Sequence, residues 1–260
     1  LYISPGVFDK GGISRYNRYQ IEAVRNIFSK KKVKVLSLLA PDDESFEDEF
    51  DVHWHGTGAN LASKIAFVWQ ILLQLIFWRP KIIIVGHVNH SGLVYFLSKL
   101  TGGRVILNIY GLEVWSGLSK TAAWGLTNVP YVISDCHFTA NYVEEAGIRE
   151  KGTTTVIWDC VNLERFQPNL NNLERIKKTY NLPDRNEYFI ILTLGRLAKE
   201  AAHKGYERLL DVFENVVKKY PNARLVFGGK GNMVDYLKQF IKEKGLEGSV
   251  SFTGMVHDDD

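Results

Sequence analysis

Arg196 and Lys204, eight residues apart, are the side chains of this sequence best placed for chemistry. Gly195-Arg196-Leu197 follows an apolar run from Tyr188 to Leu194, and Lys204-Gly205 opens an amphipathic pattern. Both cations therefore stand where a strand of an α/β unit ends and a helix begins, the edge at which open α/β sheets bind ligands. An Arg and a Lys at that edge suit a polyanion, and a diphosphate above all.

Glycines mark three other edges. Gly11-Gly12 lies between the first apolar run and the first helical pattern, where bare backbone and a helix start can receive a phosphate; a tight glycine turn is the alternative. Gly228, Gly229 and Gly231 follow a second strand pattern and would either pass a base or ribose closely or make a plain turn. The sequence has neither G-x-G-x-x-G nor the Walker spacing, so nicotinamide and P-loop readings drop out. Tyr110-Gly111-Leu112-Glu113 follows another strand pattern, and its hydroxyl and carboxylate can hold a hydroxylated ligand. Glu113 is a candidate general base or a turn cap. His87 and His90 flank a strand end and are candidates for lining a cleft. His53, His55, His87, His90 and His137 invite a metal hypothesis, but neither the pair His53/His55 nor the pair His87/His90 has a carboxylate or thiol partner at metal-site spacing, so no metal is assigned. Asp42-Asp43 and Asp258-Asp259-Asp260 read as surface charge. Ser134 lacks a G-x-S-x-G setting and is not assigned as a nucleophile.

The elements that must position these groups alternate. Strands are expected at 1–4, 33–39, 81–85, 104–109, 131–133 and 154–158, with helices at 14–28, 90–100, 118–125 and 136–147. Lys30-Lys31-Lys32 is expected to close the first helix. Apolar strands separated by helices imply a parallel sheet covered on both faces. A polar connection at 159–186 carries a short helix at 173–180. A new series follows: strand 187–194, helix 205–220, strand 223–227, helix 232–244 and strand 249–252. The helix 205–220 is expected to turn Tyr206, Leu209, Leu210, Phe213, Val216, Val217 and Tyr220 inward. Leu61 to Trp78 is almost wholly apolar. It reads as too short to span a bilayer and as a helix buried on most sides, with a helix lying in a membrane interface as the alternative.

Composition narrows the classes. A formal net charge of +3, with no basic block interleaved with aromatics, argues against nucleic acid. Two cysteines, Cys136 and Cys160, make no disulfide scaffold and point to a reducing compartment. The given sequence opens directly on a strand pattern, and no signal peptide is expected. Three terminal acids after the last strand look like the mouth of a further helix, so the sequence is expected to be incomplete.

Taken in order, several phrases resemble the retaining glycosyltransferases of family 4, the "group 1" transferases. They are Gly11-Gly12-Ile-Ser-Arg-Tyr, Gly111-Leu-Glu-Val-Trp115, Ser134 through Tyr142, and Val156 through Phe166 with Pro168. Gly195-Arg-Leu with Lys204-Gly205, Leu225-Val-Phe-Gly-Gly-Lys-Gly231 and Val250-Ser-Phe-Thr-Gly254 complete the set. The resemblance implies an α/β chain of two Rossmann-like domains facing a cleft, the GT-B architecture. Residues 1–165 would form the acceptor side, and 166–260 an incomplete nucleotide-sugar domain. It implies transfer of a sugar from a nucleotide-diphosphate sugar to a glycan or lipid-linked acceptor, with retention of configuration and without a metal cofactor, in polysaccharide biosynthesis. Arg196 and Lys204 would neutralise the leaving diphosphate, with Gly11 and Gly12 approaching from the other domain. Gly229 and Gly254 would lie by the ribose and base, Tyr110 in the catalytic site, and Glu113 and His87 on the acceptor side. The cytoplasm is the implied location, with peripheral contact at the inner membrane face.

The sequence departs from the family pattern in three places. Tyr110 occupies the place of a common His, Asp159-Cys160 stands for a common Asn-Gly, and the Glu-x7-Glu motif would fall after residue 260. A non-catalytic nucleotide-sugar-binding relative or partner subunit is the alternative, motivated by Tyr110.

Overall fold

Short runs of aliphatic residues make the strands of this chain, and helices with one apolar side make its crossovers. They are seen in a computed structural model that describes residues 1–9, 11–41, 50–164, 166–167 and 172–257. The acidic segments at 42–49 and 258–260, and Pro168, lie outside the described residues. The chain divides into two units, Leu1–Asn162 and Leu163–Asp260.

The first unit runs β1 (Tyr2–Ser4), α1 (Gly12–Phe28), β2 (Val35–Ser37), β3 (Trp54–His55), α2 (Leu61–Leu73), β4 (Ile82–Val85) and α3 (Ser91–Ser98). It continues β5 (Arg104–Ile109), α4 (Leu112–Trp115), α5 (Lys120–Asn128), β6 (Tyr131–Ser134), α6 (His137–Glu145) and β7 (Thr154–Val156). The strands form one parallel sheet in the order β3-β2-β1-β4-β5-β6-β7. Tyr2 pairs with Val35 on one side and Ile84 on the other. The winding therefore reverses between β1 and β4, and the carboxyl ends of those two strands form the switch point of a doubly wound sheet.

Strand alternation sends Ile83, Val85, Val105, Leu107 and Val132 to one face, where they pack with Phe67 and Ile71 of α2, Val94 of α3, Leu126 of α5 and Val143 of α6. Tyr2 and Val35 go to the opposite face, against Ile21 of α1. Lys30–Lys32 does not close α1 as expected. Ser29, at φ 71°, breaks the helix, and the lysines form a separate 3-10 turn.

The expectation of a helix at 61–78 buried on most sides is corrected. Leu61–Leu73 is α-helical and Gln74–Trp78 is a π turn, with Ser63, Phe67, Ile71, Gln74 and Leu75 buried. Only 28% of this stretch is buried, and by length and composition it could cross a membrane. Its outer side carries Leu61, Ile65, Trp69, Ile76 and Phe77 in the open.

The second unit holds α7 (Leu173–Thr179), β8 (Phe189–Leu194), α8 (Tyr206–Lys219), β9 (Ala223–Gly228), α9 (Val234–Glu243) and β10 (Val250–Gly254). Its three strands are parallel in the order β10-β9-β8. Tyr206, Leu210 and Phe213 of α8 meet Leu237 and Ile241 of α9 over Leu225 and Phe227 of β9. Glu207 in the first turn of α8 and Lys218-Lys219 in its last complement the helix dipole. Tyr220 leaves the expected apolar stripe; it is the residue that ends α8 and is exposed. Leu192 and Leu194 of β8 are also exposed.

Candidate functional site

At the carboxyl edge of the second sheet, the loops after all three strands interlock through their backbones. Gly195 N–H donates to Gly228 O at 2.9 Å, Leu197 N–H to Lys230 O at 3.0 Å, and Gly229 N–H to Gly254 O at 2.7 Å. The packing is close enough to exclude side chains. Gly229 has φ +125°, and a Cβ there would overlap the Gly195 carbonyl oxygen; one on Gly231, at φ +158°, would overlap that of Leu197. Gly254, at φ +70°, has open space around it.

Arg196 and Lys204 stand on this frame. The stretch between them, expected as a loop, ends in a 3-10 helix, Lys199–Lys204, which stops at Gly205 in the left-handed conformation. The turn brings Lys204 back over Gly195, where a Cβ would lie 2.8 Å from Lys204 Nζ and 3.0 Å from the Tyr206 hydroxyl oxygen. Tyr206 is buried, sets its ring edge against Phe227, and donates its hydroxyl to Arg196 O at 3.1 Å. Both cations are exposed, and among the described residues neither pairs with a carboxylate. Two uncompensated cations beside glycine backbone can bind a diphosphate through charge-assisted hydrogen bonds.

In the first unit, Gly11 caps α1 in extended conformation without a side-chain bond. The first helical hydrogen bond joins Arg15 N–H to Gly11 O at 3.0 Å, so the N–H groups of Gly12, Ile13 and Ser14 precede the helical ladder. A Cβ on Gly11 or Gly12 would meet nothing within 4 Å. The turn itself therefore leaves room for a side chain at either glycine, and the helix start is open to approach by an anion.

His87 follows β4 at the switch point, and its Nδ1 accepts from Asn89 N–H at 3.2 Å. Burial lowers the His87 pKa, and the Glu113 carboxylate acts in the opposite sense. Burial, with His87 adding to it, lowers that of His90 to about 4, and His90 Nε2 has no hydrogen-bond partner.

Two residues expected to face a ligand are engaged internally. The Tyr110 side chain is buried, and its hydroxyl donates to Asn17 Oδ1 at 2.7 Å and to Gly86 O at 3.3 Å. Both partners lie inside the first unit. Glu113 accepts from Tyr110 N–H at 2.6 Å and Gly111 N–H at 3.0 Å, which is the turn-capping alternative.

Asn17, which the sequence reading passed over, ties this edge together. Its Oδ1 also accepts from the Tyr2 hydroxyl at 2.8 Å, and its Nδ2 donates to Ser4 Oγ at 2.9 Å. A Cβ on Gly86 would stand 2.9 Å from Asn17 Nδ2. Asp135 was also passed over, and Asp159 was named only as a departure from the family pattern. Burial raises the pKa of each, their mutual repulsion adds to the rise at Asp159, and Asp135 Oδ1 lacks a partner. Both acids fall just after strands, at 131–134 and 154–156, which was the available signal. Among the described residues, no group of three or more His, Cys, Asp or Glu side chains converges as a metal site.

The fold agrees with what known proteins show. Residues 174–260, within the second unit, match the family model of glycosyl transferases group 1. An uncharacterized glycosyltransferase of Methanocaldococcus jannaschii is 29% identical over 101 residues, covering 36% of this chain and 24% of that protein. The alpha-monoglucosyldiacylglycerol synthase of Acholeplasma laidlawii is 27% identical over 236 residues, 88% of this chain and 52% of the synthase. The chain thus spans between about a quarter and a half of these relatives. The crystal structure of Anabaena HepE in complex with UDP superimposes with a TM-score of 0.77 at 15% identity, over 99% of this chain and 69% of HepE. Two parallel sheets flanked by helices, alike in fold to that structure throughout, make this a GT-B-like fold of two Rossmann-like units.

Proposed function

We propose that this protein is a glycosyltransferase that moves a sugar from a nucleotide-diphosphate sugar to a glycan or lipid-linked acceptor with retention of configuration. The observation that carries the reading is the pair Arg196 and Lys204, exposed and without carboxylate partners, held beside Gly195 at the carboxyl edge of the second sheet. Two cations there stabilise the charge that develops on a departing nucleoside diphosphate, the electrostatic role that preorganised donors play in transfer reactions. The binding of UDP by HepE, a protein of like fold, supports a nucleotide ligand.

In this reading residues 166–260 take the donor and residues 1–165 the acceptor. Gly229 and Gly254 present bare backbone to the ribose and base, and the open start of α1 at Gly11-Gly12 offers N–H groups to a phosphate oxygen. His87, whose Nδ1 accepts from Asn89 N–H, donates its Nε2–H to an acceptor hydroxyl. Glu113 and Tyr110 hold the backbone beside it. The protein works in the cytoplasm on polysaccharide or glycolipid precursors, in peripheral contact with the inner membrane face.

A second reading, a nucleotide-sugar-binding partner subunit without turnover, is favoured by the internal engagement of the Tyr110 hydroxyl. Calorimetry with UDP, GDP and ADP tests the donor edge, and anomer-resolved NMR of product formed from the matching nucleotide-sugar tests transfer with retention. Absence of diphosphate binding overturns both readings. Binding without turnover on any acceptor selects the second.

A further inference from the structure

Helices α2, α3 and α5 cover one face of the first sheet, and the side they turn away from it has an unusual composition. All three send residues into the same core, so their outer sides share a direction. α3 and α5 are locked together by a glycine contact: a Cβ on Gly125 would collide with the Gly92 backbone, and one on Gly92 with Thr121. Phe67 of α2 sets its ring 5.3 Å from His90, which leads into α3.

The outer side is apolar and aromatic. Leu61, Ile65 and Trp69 rise along α2 at four-residue spacing, and Lys64, Ile65, Val68, Trp69 and Leu72 line a shallow hollow. Phe77 follows at 79% exposure. Phe96 and Leu100 are exposed on and just after α3, and Trp124 on α5, where it meets the Tyr95 ring at 5.5 Å. Isolated exposed hydrophobics are ordinary, but a face this rich in them marks a docking surface.

Charge says what docks. From Val52 to Ser134 the only carboxylate is Glu113, and its oxygens cap the Tyr110 and Gly111 N–H groups at the carboxyl edge of the sheet. The same stretch carries Lys64, Arg79, Lys81, Lys99, Arg104 and Lys120. Lys64 lies on α2, Lys120 opens α5, and Lys99, just after α3, reaches over the Tyr95 ring at 4.5 Å; all three are exposed. Acids return only with Asp135 and with Glu144-Glu145 of α6. Aromatic and aliphatic side chains interleaved with cations, with no carboxylate on α2, α3 or α5, fit the interface of a bilayer that contains anionic lipid: rings enter the headgroup layer and lysines meet phosphate.

We infer that the outer face of α2, α3 and α5 is a membrane-docking surface selective for anionic bilayers, with α2 lying in the interface plane. The inference rests on the proposed peripheral contact and not on the donor edge, so it stands or falls apart from nucleotide binding. The whole chain is mixed with vesicles of phosphatidylcholine alone and with vesicles containing 30% phosphatidylglycerol, and bound protein is measured by flotation. Binding to the anionic vesicles and little to the neutral ones is expected. Trp69→Ser with Phe77→Ser should lower partitioning about ten-fold or more, from lost apolar insertion. Lys64→Glu, Lys99→Glu and Lys120→Glu together should lower it on the order of 100-fold, since each cation near an anionic surface accounts for roughly five-fold. These substitutions are exposed, and an unchanged Tm with unchanged UDP calorimetry certifies the fold. Equal binding to both vesicle types, no binding to either, or binding that survives both sets of substitutions overturns the inference. So does a dimer in sedimentation that the Trp69 and Phe77 substitutions abolish while vesicle binding is absent, because the face then belongs to a second copy.

Discussion

Lys204 lies over Gly195 so closely that a Cβ on the glycine would stand 2.8 Å from the lysine Nζ. The pair couples a backbone choice to the place of a charge. Gly195→Ala should push the flexible lysine aside and disturb the Tyr206 hydroxyl without dismantling the sheet. Calorimetry with UDP should show weaker binding in the alanine variant, with Tm changed by a few degrees at most. Unchanged affinity would mean that Lys204 does not act from this position.

Arg196→Ala and Lys204→Ala each remove a charge-assisted contact to the proposed diphosphate. A loss of about 1.5–3 kcal/mol, roughly ten- to a hundred-fold in affinity, is expected for each. The corresponding nucleoside, which lacks phosphate, should bind all the proteins equally. If nucleoside affinity falls in parallel, the cations act on the fold and not on the phosphates.

Gly229→Ala and Gly254→Ala separate packing from ligand approach. At Gly229 the new methyl group meets the Gly195 carbonyl in a left-handed backbone, so a destabilisation of more than about 2 kcal/mol is expected by denaturant unfolding. At Gly254 only the backbone strain applies, about 1 kcal/mol. Equal stability losses would contradict the close loop packing.

Gly12→Val offers the converse case. Its Cβ meets nothing within 4 Å, so Tm should move little beyond the small propensity change. Turnover should fall if a phosphate approaches the start of α1, and wild-type turnover in the folded variant would remove that role.

His90 gives the first unit a pH dependence. An unfolded histidine takes its proton near pH 6.5, whereas burial holds His90 neutral until about pH 4. Between those values the unfolded chain binds more protons, so this part of the stability is fully present above pH 6.5 and is lost as pH falls toward 4. The loss is of order 3 kcal/mol. Urea unfolding across that range should show it, and His90→Gln should flatten it. A slope unaltered in the variant would assign the acid sensitivity elsewhere.

Tyr110→Phe removes the donor to Asn17 Oδ1 and Gly86 O, at a cost of about 1–2 kcal/mol in stability. If the hydroxyl only positions the edge, kcat/KM should follow that small structural change. A hundred-fold loss in kcat at unchanged stability would restore it to direct contact.

The alternation of apolar runs and helical patterns was enough to read two parallel α/β units, because strands buried on a parallel sheet and helices with one apolar side leave periods of two and 3.6 in the residue order. The placing of Arg196 and Lys204 was legible for the same reason: they flank a strand end and a helix start that the pattern locates. Side-chain direction was not. Tyr110 and Glu113 sit at a strand end like ligand-binding groups, yet both turn to nearby backbone or to Asn17, a partner 93 residues away from Tyr110. Nor could the pattern tell that Gly229 yields to the Gly195 carbonyl while Gly12 faces open space, since both are simply glycines after strands. The helix beginning at Leu61 reads as core because nearly every residue in it is apolar. Only the packing of α2 against a sheet that needs one side of it left Trp69 and Phe77 outside. Local order along the chain fixes which elements form; contacts between residues far apart in sequence decide which face each element turns inward.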